Sequence, residues 1–182
     1  MPHDTARPHS PNHRWTWIVL VSVALAGIIL WRWLSSQMAA THYRPEEIVY
    51  GQPLHGVYEI GSDLTTIAFL PPDAPQPVLE LLDDFHHIGR VKVGDYVQHT
   101  FAIRNIGQAP LTVTRLYTTC DYLTADLSAS VIPPNRIALL ELTLGPRAPE
   151  VGHGLVRRGA ILESNDPRRP EVTVWVQALI VP

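Results

Sequence analysis

The chain has 182 residues, 46% of them apolar, a formal charge of −3 and a mean hydropathy of +0.03, a balance that excludes an intrinsically disordered chain. From residue 41 onward 11 Lys and Arg stand against 16 Asp and Glu, a formal −5, which argues against nucleic acid as a partner. One cysteine, Cys120, excludes an intramolecular disulfide, so stability has to come from a packed core.

Residues 1–14 are rich in Pro and His, lack a hydrophobic period and read as a flexible tail. Residues 15–34 are predicted to form a single transmembrane α-helix. They carry no charge between Trp15 and Trp31, and at ~1.5 Å per residue they cover the ~30 Å hydrocarbon layer of a lipid bilayer. Four of the five tryptophans, Trp15, Trp17, Trp31 and Trp33, bracket this run, and indole rings prefer the headgroup level. Arg14 and Arg32 flank it at the same interfaces. A cleaved signal peptide fits less well, because its apolar run is shorter and ends in small residues. Ser22 and Ala26 have the small-xxx-small spacing that lets a second helix approach. Arg7 and Arg14 before the span balance Arg32 and Arg44 after it, so charge does not set the orientation. A short tail before a long domain behaves as a signal anchor, which predicts a cytoplasmic N-terminus and an extracytoplasmic, periplasmic C-terminal domain in the cell membrane.

Residues 35–76 hold Pro45, Pro53, Pro71, Pro72 and Pro75 between short apolar pieces. Closely spaced prolines block long helices and central strands, so this segment reads as a stiff extended arm lying on its own domain or on a neighbour.

From residue 77 the period becomes two. After an initial strand near Val78 to Asp83, the residues Val97, His99, Phe101 and Ile103 share one face, opposite Gln98, Thr100, Ala102 and Arg104. Asn105-Ile106-Gly107-Gln108 supplies a turn. Leu111 and Val113 continue the alternation, but Leu116 is out of phase, which predicts a bulge near Thr114 or Arg115. Ala138, Leu140, Leu142 and Leu144 form another strand, followed by one near Leu155 to Glu163, a turn at Ser164-Asn165-Asp166-Pro167 and a last strand with Val172, Val174, Val176, Ala178 and Ile180 inward. Short runs at even spacing predict an all-β sandwich over residues 77–182.

Several pieces then form an ordered set: His86-His87-Ile88-Gly89 with Gly94, Phe101 to Asn105 and Gly107, Ala109-Pro110-Leu111, Thr119-Cys120, Ile132-Pro133-Pro134, and Ser164 to Pro167 with Pro170. Over about residues 78–181 this set resembles the bacterial family DUF1573 (domain of unknown function 1573). The resemblance implies an immunoglobulin-like β-sandwich of seven strands, similar to major-sperm-protein/ASH-like modules, which mostly bind other proteins. Where that family has Cys-Gly-Cys-Thr, this chain has Cys120-Asp121-Tyr122-Leu123, so the second thiol is missing. A lone thiol neither cycles through a disulfide nor holds a soft metal by itself, and a buried, inert Cys120 is expected.

Adjacent His86 and His87 on a strand face opposite ways and do not chelate one ion together. A metal site would have to combine Cys120, His99 and one of them, such as His87; the expectation is no metal and no cofactor. No serine, histidine and carboxylate set or phosphate loop stands out, and Asp83-Asp84 reads as a solvated strand end, so no enzyme and no small-molecule substrate are expected. Trp175 has the opposite parity to the core valines and shares its face with Thr173 and Gln177, which makes these three the expected partner contact. Arg157-Arg158 and Arg168-Arg169 lie too far apart along their strands to form one patch and are expected to pair with local acids. The reading that follows is a non-catalytic accessory or scaffolding subunit held against larger integral membrane protein subunits, with complexes of energy metabolism (respiratory or photosynthetic) as one class of host. The alternative is a membrane-anchored metal-handling or thiol-dependent assembly factor using Cys120.

Overall fold

The structure, a computed structural model, describes residues 43–59, 67–147 and 153–182. The predicted span 15–34 lies outside these, and with it Trp15, Trp17, Trp31, Trp33, Arg14, Arg32, Ser22 and Ala26. Among the described residues no helix is long and apolar enough to cross a membrane.

The described residues form a short 3₁₀ turn, Pro45–Glu47, and ten strands: β1 (Leu54–Gly56), β2 (Leu79–Leu81), β3 (Phe85–Lys92), β4 (Val97–Asn105), β5 (Leu111–Thr118), β6 (Leu123–Leu127), β7 (Val131–Ile132), β8 (Ile137–Leu144), β9 (Gly154–Ser164) and β10 (Glu171–Val181). They make two five-stranded sheets, ordered β1-β6-β8-β4-β2 and β3-β10-β9-β5-β7. Ten strands replace the expected seven, because β1, β6 and β7 are too short to show a period. The all-β, two-sheet sandwich itself stands.

Alternation accounts for the packing. Phe101 and Ile103 pair with Leu140 and Ala138 across β4 and β8, and all four are at most 1% exposed. Leu162, Val174, Val176 and Ile180 face them from the second sheet. Each such side chain withdrawn from water contributes about 1.5–3 kcal/mol toward folding, offset by the entropy of ordering the chain. The register between β5 and β9 shifts between Val113 and Arg115, so Leu116 returns to the core after a bulge at the expected place.

Two features depart from simple alternation. β3 runs parallel to β10, and their register shifts at Gln177/Ala178, opposite Gly89, whose φ of +91° suits a residue without a side chain. Within the proline-rich arm, Ile48 bridges Ile137, β1 pairs with β6, and Tyr58 bridges Thr118. The described part of the arm therefore lies on its own sandwich, and Arg115 fixes its far end with Glu59 at 2.6 Å.

Candidate partner-binding face

Odd-numbered residues of β10 point away from the core, which places Thr173, Trp175, Gln177 and Leu179 on the outer face of the second sheet. Trp175 stands between Gly159 on β9 and Phe85 on β3. The indole lies across Gly159, where an added Cβ would come 2.8 Å from Trp175 Cε3 and 2.6 Å from the Val174 carbonyl oxygen. The guanidinium of Arg157 sits 4.7 Å from the Trp175 ring and 5.2 Å from that of Phe85. Arg157 thus rests on two aromatic rings rather than on the acids expected from the sequence, and it, not the described arm, covers the half-buried Trp175.

The β3 bulge extends this face. Phe85 and His87 lie beside Trp175 and Gln177, with His87 edge-on to Phe85 at 4.6 Å and its Nδ1 3.5 Å from Gln177 Nε2. Past Gly89 the parity reverses, so Arg90 and Lys92 align with Leu179 and Val181 and also point outward, while Val91 is buried.

His86 takes the inward side of β3 and stacks on His99 of β4 at 3.5 Å with the rings 5° from parallel; His99 also meets the Phe101 ring edge at 4.7 Å. Burial, and then the neighbouring His86, hold the His99 imidazole below the ordinary histidine value of 6.5, with Asp83 opposing. Because the folded state binds this proton less readily than the unfolded chain, stability is unaffected by His99 above pH 6.5 and falls as pH drops from 6.5 toward its folded value. Thermal melts should show the midpoint declining over that window in the wild type and declining less in His99→Gln. An equal decline in both would remove His99 as the cause.

Cys120 is a free, buried thiol, raised above its usual range by burial despite opposing hydrogen bonds with Tyr122 and the nearby Arg158 charge. Tyr122 in turn accepts a 2.5 Å hydrogen bond from Arg158 Nε. The structure brings His86 to His99 but turns His87 to the opposite face. Among the described residues no three His, Cys, Asp or Glu side chains converge to hold a metal ion.

A polar clasp that sequence reasoning did not assign holds one end of the sandwich. The fully buried Asn105 donates from Nδ2 to the carbonyls of Ala109 and Ile132, both at 2.8 Å, and its Oδ1 accepts from the Gly107 amide at 2.9 Å and the Val78 amide at 3.4 Å. Asn165 accepts from the Thr112 amide at 2.7 Å and donates to Pro110 O. The buried Asp166 carboxylate accepts from the amides of Leu79 and Arg168, each at 2.8 Å. The scattered pieces around Asn105, Ala109-Pro110, Ile132 and Ser164 to Pro167 are thus one hydrogen-bonded structure, and their signal was the recurrence of Asn and Asp beside Pro and Gly.

Two facing sheets of this composition, closed by hydrogen-bonded loops, define an immunoglobulin-like β-sandwich. The chain belongs to the family described as HYDIN/CFA65/VesB-like, Ig-like domain, whose model matches residues 77–179. No curated protein matches the chain. Among solved structures it is similar to a protein of unknown function from Porphyromonas gingivalis W83, at 26% identity and a TM-score of 0.52 over 57% of this chain and 46% of that one. It is also similar to the secreted serine protease VesC from Vibrio cholerae, at 14% identity and a TM-score of 0.44 over 57% of this chain and 24% of that one. A third is the ASH / PapD-like domain 7 of human CEP192, at 12% identity and a TM-score of 0.44 over 67% of this chain and 98% of that one. The chain spans under half the length of the Porphyromonas protein.

Proposed function

We propose that the chain is a non-catalytic, single-pass accessory or scaffolding subunit of a larger bacterial membrane complex, anchored by residues 15–34 with its sandwich on the extracytoplasmic side. The observation that carries the reading is the outer face around Trp175: an indole laid on a glycine, topped by an arginine and partly open to solvent, is the residue pairing that dominates protein interfaces. The buried polar side chains of the clasp support it, because Asn105, Asn165 and Asp166 spend their hydrogen bonds on backbone groups that hold loops together. The ordered pieces that resemble DUF1573 fit the same role, since they build the frame behind this face.

The test is purification of the tagged full chain from membranes in mild detergent. Larger integral membrane proteins should co-purify in fixed ratio, and Trp175→Ala should lower their recovery severalfold while the protein stays folded. A lone monomer across several detergents would sink the reading.

A further inference from the structure

Charge is distributed unevenly over the sandwich. The outer face of the first sheet places Asp126 and Glu141 opposite one another, and one end of the second sheet does the same with Glu171 and Glu163; the basic positions gather toward the other end. On the second sheet, the outward positions from Phe85 through Lys92, from Leu155 through Arg157 and from Trp175 through Val181 contain Arg90, Lys92, Arg157 and His87 and not one carboxylate. Two apolar side chains stand open among these cations, Leu155 at 69% exposure and Leu179 at 39%. In a chain whose net charge is negative, this is a basic, partly apolar strip across three strands.

We infer that this strip docks an acidic protein segment that carries apolar side chains, with one of its carboxylates received by Arg157. The inference rests on the scaffold reading and adds the chemistry of the partner. The guanidinium lies 4.7 Å from the Trp175 ring and 5.2 Å from the Phe85 ring on an exposed residue, where it can meet a carboxylate in the two-point geometry that arginine favours. Arg90 and Lys92 add attraction along the same strand, and Leu155 and Leu179 bury apolar area between the charges. A headgroup layer asks for charge density from mobile side chains, whereas an arginine resting on two rings suits a directional acceptor on a folded or extended protein.

The experiment measures fluorescence anisotropy of a short labelled peptide rich in glutamate and leucine, titrated with the full chain in a neutral detergent. Saturable binding is expected, weaker at higher salt, absent for the lysine-substituted peptide, and reduced about tenfold or more by Arg157→Glu or by the pair Arg90→Glu and Lys92→Glu. Arg136→Ala, outside the strip, should bind as the wild type does, and melts check that every variant is folded. Absence of peptide binding, or equal binding by Arg157→Glu, overturns the inference. Phosphatidylserine vesicles bound in place of the peptide, or self-association abolished by Arg157→Glu, overturns it in favour of a lipid surface or a second copy. Co-purification decides the scaffold reading separately, since a partner docked without acidic chemistry would satisfy that test and fail this one.

Discussion

Asn105→Ala should lower the unfolding free energy by about 3–6 kcal/mol, a large share of the roughly 5–15 kcal/mol by which ordinary domains are stable. The side chain is 0% exposed and serves two carbonyls and two amides: two in its own loop, at Gly107 and Ala109, and two from distant segments, at Val78 and Ile132. Alanine removes every one of these bonds and leaves polar groups that water reaches poorly, each costing about 1–3 kcal/mol. Asn105→Asp should be similarly damaging, because a carboxylate keeps the acceptor side but presents no donor to Ala109 and Ile132 and brings a charge into the interior. Urea unfolding measures this as a lower midpoint at unchanged slope. A loss under about 1 kcal/mol would mean that the segments joined at Asn105 do not depend on the clasp.

Phe101→Ala should cost about 3–5 kcal/mol, the range for deleting a buried aromatic ring and leaving a cavity behind. Phe101 is 1% exposed at the centre of β4, opposite Leu140, where neighbouring side chains are fixed by two sheets and collapse into the gap only in part. The substitution has a second readout. Removing the ring that meets His99 admits water there, so the His99 titration, followed by NMR, should move up toward the ordinary histidine value. A stability loss without that movement would separate the core role of Phe101 from its contact with the imidazole.

Much of the frame was legible because alternation survives wherever one sheet face is buried and the other is not. β4, β8 and β10 are read directly from their apolar parity, and the out-of-phase Leu116 marks the β5 bulge in the sequence itself. β3 was hidden for a physical reason: its bulge beside Gly89 reverses parity midway, so Phe85, His87, Arg90 and Lys92 share a face that no single period describes. β1 lay in a segment dominated by proline, and β6 spans only Leu123–Leu127. The outward direction of Trp175 followed from parity. Its cover did not, since placing Arg157 over the indole requires the β9–β10 register, which is set by the hairpin as a whole. Asn105 looked like an ordinary turn residue, because its bonds to Gly107 and Ala109 are local and its other two partners, Val78 and Ile132, reach it only after folding.

The docking of β1 also bears on where this domain can be cut. The family match begins at residue 77, yet the free margin of β6 is closed by Leu54–Gly56, upstream of that point. A fragment started at residue 77 would bare a row of unsatisfied backbone donors and acceptors, a template on which other chains can pair into aggregates. The arm is thus a built-in cover against association of the wrong kind.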